Sequence, residues 1–210
     1  MKRTIALFLM LTLVLALSAC GQNTTEKAAA GAEPSAAGQN ADSSGDGAKV
    51  LVAYFSQTGH TRPLAERAAE LLRADLYEIK AADPYTDADI NYGDSESRTT
   101  KEQNDPDARP EIAGSVAHME QYDTVVLAYP IWWGQAPRII STFMESYDFS
   151  GKTIIPFCTS GSSGIGSSAE DLEALCSGTA VWVDGKRFSA DDTDALEDWL
   201  LGLPELEAYL

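Results

Sequence analysis

The chain has 210 residues, 44% of them hydrophobic, and a formal charge of −17 from 15 basic and 32 acidic side chains. That is enough apolar material for one well-buried domain with added segments. The acidic excess argues against nucleic acid and against direct adhesion to anionic lipid; it suits a basic partner or a neutral substrate, and solubility alone also accounts for it.

Met1-Lys2-Arg3 is a basic start, followed by an apolar run from Thr4 to Leu17 that is short for a membrane span. Small residues, Leu17-Ser18-Ala19-Cys20, close it, so residues 1–19 read as an export signal. Leu-Ser-Ala-Cys followed by Gly21 resembles the lipobox of bacterial lipoproteins, which implies lipidation of Cys20 and anchoring at the extracytoplasmic face of a bacterial membrane. Two or more acyl chains would hold it there, and contact with the membrane is expected through that anchor only. The alternative is an ordinary signal peptide with a chance cysteine. Residues 20–47 are mostly Ala, Gly, Ser, Asn and Gln, too poor in apolar side chains to fold. As a flexible coil, this tether would span roughly 30 Å. Taking Lys2 and Arg3 from the 15 basic residues leaves 13 against 32 acidic ones, so the mature charge is −19.

Residues 48–210 alternate strand and helix signals. Lys49 to Phe55 is a near-continuous apolar run, as in a strand covered on both faces. Pro63 opens a helix with Leu64, Ala68, Leu71 and Leu72 at helical spacing. Leu76 to Lys80 alternates like an edge strand. The polar stretch 83–110 is an insertion, with a short helix expected about Asp94 to Gln103 and another from Pro110 to Gln121; unstructured stretches of such length are usually functional. Asp123–Tyr129 and Lys152–Thr159 read as buried strands, and Arg138–Tyr147 and Ser168–Cys176 as helices. Thr179–Val183 and Asp191–Leu201 supply a last strand and helix.

This alternation predicts an α/β fold, a doubly wound five-stranded parallel sheet of order 2-1-3-4-5 with helices on both faces. Pro156 strains the scheme, because a central strand should not lack an N–H, and a bulge is expected there. On this layout Cys158 and Cys176 stand roughly 15 Å apart, beyond disulfide reach, and are expected to be buried free thiols. Neither has metal-ligand spacing, so no zinc site is expected.

Ligands of open parallel sheets bind beyond the carboxyl ends of the strands, where strand order reverses. Three loops meet there. The first is Ser56-Gln57-Thr58-Gly59-His60-Thr61, which brings hydroxyls and backbone N–H groups to a helix start and suits one phosphate without any lysine. It matches neither the nucleoside triphosphate nor the dinucleotide fingerprint; the bland alternative is a turn capped by Thr61. The second, Pro130-Ile131-Trp132-Trp133-Gly134, offers adjacent tryptophans for a flat aromatic ligand, or for packing at the sheet edge. The third runs from Thr159 and Ser160 through Gly161 to Gly164 and Gly166, with glycines that permit close backbone approach, or simply a flexible turn.

Ser56 to Thr61 resembles the phosphate loop of flavodoxins, and YPIWWGQAP and DFSGKTIIPFCTSGSSGIG look like the flavodoxin-like family of bacterial genomes. The resemblance covers residues 49–201. It implies FMN, its phosphate on Ser56–Thr61 and its ring between Pro130–Gly134 and Thr159–Gly164, with the chemistry carried by the flavin and no catalytic side chain. The chain's carboxylates would then disfavour negative charge on the reduced ring, opposed by N–H groups around Gly161.

Arg98, Glu102 and Arg109 are secondary candidates for covering the ring or meeting a substrate, or else a solvated helix face. His60 is expected to turn away from the phosphate, and His118 to lie on a helix surface. The expected role is electron transfer to a redox partner protein or to a small acceptor such as a quinone. Two alternatives stand beside it: an FMN-dependent NAD(P)H reductase, and a non-redox module that binds a phosphate ligand or a partner.

Overall fold

A computed structural model of the chain describes residues 49–176 and 178–210. The signal peptide, the tether and Cys20 lie outside the described residues. Among the described residues, no helix is long and apolar enough to cross a membrane.

Four elements carry the core of the sheet: β1 (Val50–Tyr54), β2 (Asp75–Glu78), β3 (Thr124–Pro130) and β4 (Thr153–Thr159). Two short strands, β5 (Val181–Trp182) and β6 (Lys186–Phe188), both pair with β4. All pairings are parallel and the order is β2-β1-β3-β4-β5, as the alternation of signals predicts. β1 and β3 are covered on both faces, which explains their unbroken apolar runs. Their side chains alternate between two cores. Leu51, Ala53, Val125 and Leu127 meet Ile139, Ile140, Phe143 and Met144 of α3 (Arg138–Glu145) and Leu172 of α4 (Ser168–Glu173). Val50, Val52, Val126 and Ala128 meet Leu64, Ala65, Ala68 and Leu72 of α1 (Arg62–Leu72) and Leu196 and Leu200 of α5 (Thr193–Leu201). Each fully buried aliphatic or aromatic side chain contributes about 1.5–3 kcal/mol relative to exposure.

The strain foreseen at Pro156 is resolved on the neighbouring strand. Val183 donates its N–H to the Ile154 carbonyl, and Ser160 donates to Phe188, so even-numbered residues of β4 face β5 and β6. The donor that Pro156 lacks therefore points to that side. There the partner runs one residue long: Ile154 pairs with Trp182 and Phe157 with Lys186, three steps against four. This bulge splits the fifth position into two strands where one is expected. Gly185 fills the break, and a Cβ on it would come within 3.0 Å of both Cγ and the carbonyl oxygen of Pro156 and 2.5 Å of Ile165 Cδ1.

The polar insertion departs from expectation in its second half. A short helix, α2 (Arg98–Asn104), forms near the first expected one, with Ser97 as its N-cap accepting from Thr100 N–H. From 110 to 121 there is only a 3-10 turn, Met119–Gln121. Ala82 donates to the Glu111 carbonyl and Ala113 to the Lys80 carbonyl, each at 2.8 Å, so the segment continues past β2 as an antiparallel bridge. Val116 and Met119 still reach the core. His118 is exposed, as expected, but holds a left-handed backbone ahead of the 3-10 turn rather than a helix surface. α4 stops at Glu173, short of Cys176; both cysteines are free, Cys158 buried and Cys176 half-buried rather than buried.

Gly185→Ala should lower stability by about 1–3 kcal/mol, because the Pro156 ring and carbonyl cannot yield to an added methyl. Urea unfolding of the two proteins checks this; an unchanged midpoint would mean that the β5–β6 break is loosely packed.

Candidate functional site

The carboxyl ends of β1, β3 and β4 carry the three loops to one place. In the first, Ser56 Oγ accepts the N–H groups of Thr61 and Arg62 at 3.1 Å each, satisfying two donors that the start of α1 would otherwise leave open. Thr61 does not cap through its side chain. Its Oγ1 is buried against Thr159 Oγ1 at 2.8 Å, which ties the first loop to the end of β4. Thr58 Oγ1 lies 3.0 Å from His60 Nδ1, so the imidazole is turned onto the loop itself. Gly59 takes φ +83. Among the described residues, the backbone N–H groups of Gln57, Thr58, Gly59 and His60 have no hydrogen-bond partner. Four free N–H groups before a helix start are available to an anion, and the helix dipole favours negative charge there.

The second loop separates its tryptophans. Trp132 is buried, edge-on to Phe55 at 5.4 Å and to Tyr85 at 5.5 Å. Trp133 and Gly134 form a two-residue turn: Trp132 N–H donates to Gln135 O at 2.9 Å and Gln135 N–H returns to Trp132 O at 3.0 Å. Both turn residues have positive φ, +48 and +78, the pattern of a type I′ turn. For tryptophan this is an uncommon conformation that glycine would hold more easily. It swings the indole out to meet Tyr92 at 4.5 Å between ring centres.

In the third loop, Ser160 N–H donates to Phe188 O, and Arg187 of β6 donates to the Ser160 carbonyl, Nε at 3.1 Å and Nη2 as well. Ser160 Oγ donates to Ser163 O. Gly164 packs against Gly166, and Gly166 brings this loop against the second, its Cβ position 3.8 Å from Gly134 O.

Between the loops is a cavity of about 320 Å³ lined by Thr58, His60, Pro130, Ile131, Trp132, Thr159, Ser160 and Gly161, all expected from sequence. Tyr92, Ser189 and Ala190 also line it and were not foreseen. Ser56, Gln57, Gly59, Thr61, Trp133, Gly134 and Gly164 shape the loops around it without lining it. Among the described residues, no carboxylate lines the cavity. Asp192 stands just behind the wall, its carboxylate accepting the N–H of the cavity residue Ser189 at 2.7 Å, so an acidic group lies within the roughly 8–10 Å over which charge acts on a bound ring.

The insertion is fastened to this site. Gln57 Nε2 donates to Tyr85 O at 2.9 Å. Gln103, buried on α2, donates to Trp132 O at 3.0 Å and to Ala136 O at 3.3 Å, and accepts Arg138 N–H at 3.2 Å. It thus holds both ends of the tryptophan turn. The secondary candidates make bonds within the protein. Arg98 bonds Glu102 at 2.7 Å and lies 4.2 Å from the Tyr85 ring centre, while Tyr85 donates its hydroxyl to Glu102 at 2.8 Å. Burial, then the Glu102 carboxylate, pushes the Tyr85 phenol well above its ordinary range. Arg109 makes two 2.7 Å bonds to Glu145 and holds that carboxyl below its usual value. Burial pushes the Cys158 thiol up to about 12, so it stays protonated and is no nucleophile near neutrality.

The two threonines of the first loop separate by role. Thr61→Val leaves the Thr159 hydroxyl buried without its partner and should cost about 1–2 kcal/mol of stability. Thr58→Val, on the exposed part of the loop, should stay within about 0.5 kcal/mol of the parent. Equal losses in chemical denaturation would contradict this division.

The fold that carries these loops is shared with known proteins. A family model for flavodoxin matches residues 49–202. A candidate flavoprotein from Bacteroides eggerthii is 43% identical, covering 73% of this chain and 96% of its own, with a TM-score of 0.68. A second, from Bacteroides uniformis, is 41% identical over 74% of this chain and 99% of its own, with a TM-score of 0.70. A flavoprotein from Lactobacillus acidophilus, solved in complex with FMN, shares the fold at 24% identity, 71% and 97% coverage, and a TM-score of 0.54. No curated protein matches the sequence. The sheet order, the three loops and the matched span together place this chain in the flavodoxin family.

Proposed function

We propose that the chain is an FMN-binding electron-transfer protein, held through lipid on Cys20 at the extracytoplasmic face of a bacterial membrane. The observation that carries the cofactor is the donor set: four unpartnered backbone N–H groups at the start of α1, beside a cavity that bears no carboxylate. A phosphate monoester fits the N–H groups of Gln57 to His60 and the Thr58 hydroxyl. A planar ring fits between the Pro130–Trp132 wall and the Thr159–Gly161 backbone, with Tyr92 at the rim. When bound, FMN supplies the capacity to take up and release electrons.

The protein's own groups hold, orient and shield. The Thr61–Thr159 bond keeps the phosphate end and the ring end in fixed relation. Gln103 keeps the tryptophan turn in place. Trp132 and Ile131 exclude water from one side of the cavity. Of the residues that line the cavity, His60 is bonded to Thr58 and none is a carboxylate, so the lining carries no acid–base pair for proton transfer to a substrate. This favours a carrier that meets a redox partner protein, and the net acidic charge favours a basic partner face.

Two measurements test these assignments. FMN-loaded protein should oxidise NAD(P)H in the presence of a quinone no faster than an equal concentration of free FMN. Saturable turnover many-fold above free FMN would select the reductase instead. In protein from the native host, mass spectrometry of the N-terminal peptide should find acyl chains on Cys20; an unmodified Cys20 would overturn the lipid anchor.

A further inference from the structure

Arg187 has a use that the fold alone does not require. Among the described residues it has no carboxylate partner, in a chain with 32 acidic side chains. Its guanidinium is directed instead at one backbone carbonyl, that of Ser160, through Nε at 3.1 Å and through Nη2, with the Ser160 hydroxyl 3.4 Å from Nε. A cation spent on a neutral carbonyl gains less than it would from a carboxylate. The arrangement therefore points to the peptide group being held.

That peptide joins Ser160 to Gly161, both of which line the cavity, while Arg187 stands outside the lining. The bond is trans, as are all described peptide bonds. In a planar trans peptide the carbonyl of one residue and the N–H of the next point in opposite directions. With the Ser160 oxygen drawn toward Arg187, the Gly161 N–H is directed away from it. It has no partner among the described residues, and a Cβ on Gly161 would meet nothing within 4 Å. An unhindered glycine peptide could otherwise rotate and offer the cavity a carbonyl instead of a donor. Arg187 is positioned for this task by β6, the second half of the strand that the Pro156 break divides: Phe188 O accepts the Ser160 N–H, so one strand segment holds both sides of the residue.

We infer that Arg187 is a positioning residue which locks the Ser160–Gly161 peptide so that its N–H, and not its carbonyl, faces the cofactor. The inference rests on the FMN reading above. A fixed donor beside the ring favours the electron-rich reduced form over the oxidised one, because a hydrogen bond to charge is stronger than one to a neutral acceptor.

The test is FMN affinity of the whole mature protein in oxidised and in dithionite-reduced form, for the parent, Arg187→Leu and Arg187→Lys. Arg187→Leu should weaken reduced FMN by roughly tenfold or more and oxidised FMN by less than about threefold, the scale of one hydrogen bond to charge. Arg187→Lys keeps the charge but loses the planar fork, and should show most of the same selective loss. Parent-like affinities in both states for the lysine variant would overturn the lock and leave only a charge effect. Equal weakening of both forms would also overturn it, since that marks a loosened loop and not an oriented donor. If the parent itself takes up no FMN, the cofactor reading fails and this inference with it.

Discussion

On the proposed reading, everything at this site follows from the need to hold an anion without a cation. The first loop contains no lysine or arginine, so the negative end of a ligand must be met by backbone N–H groups and a helix start. That is possible only if those groups are left unpaired and still held in place. Ser56 does the holding: by satisfying the Thr61 and Arg62 N–H groups it sets the start of α1, and leaves the four N–H groups before it open. The buried Thr61–Thr159 bond then fixes this cradle against β4, across the point where strand order reverses. A sheet of order 2-1-3-4-5 is what brings the ends of β1 and β4 close enough, around β3, for that bond to form.

The insertion belongs to the same construction. It could be read as an appendage, since its sequence is polar and its charged residues look solvated. Yet Tyr85 packs into the aromatic group around Trp132, and Gln103 bonds both flanks of the tryptophan turn. Tyr92 then reaches the cavity rim against Trp133, whose positive φ is compatible with a turn held from both ends. The Arg98–Glu102–Tyr85 and Arg109–Glu145 contacts stiffen the segment that presents these residues. Their isolated energies are small where solvent reaches them, about 0–1 kcal/mol each, so packing of Tyr85 and burial of Gln103 carry more of the fastening.

Much of this was legible from residues alone, for identifiable reasons. Strands covered on both faces leave continuous apolar runs, and so β1, β3 and β4 could be placed to within a residue. The loops after them carry residue types that ordinary turns do not concentrate, which is why most of the cavity wall was foreseen. Other parts left no local signal. A glutamine in a polar stretch is indistinguishable from a surface glutamine until Trp132 and Ala136 are seen beside it. Arg187 gives no hint that its partner is a carbonyl 27 positions earlier. The stretch 110–121, expected as a helix, instead sends Val116 and Met119 into the core from an irregular chain path. Pro156 announced a defect in the sheet, but not that the neighbouring strand would absorb it with an extra residue.

The central claim is that backbone N–H groups at the start of α1 hold a phosphate, and it can be measured without reference to electron transfer. FMN and riboflavin share the ring and differ by that phosphate. Fluorescence-quenching titrations of the mature protein with each ligand compare the two directly. Two or more charge-assisted hydrogen bonds at about 1.5–3 kcal/mol each predict that FMN binds at least roughly a hundredfold more tightly than riboflavin. Equal affinities would contradict the account, because the first loop would then contribute nothing to binding.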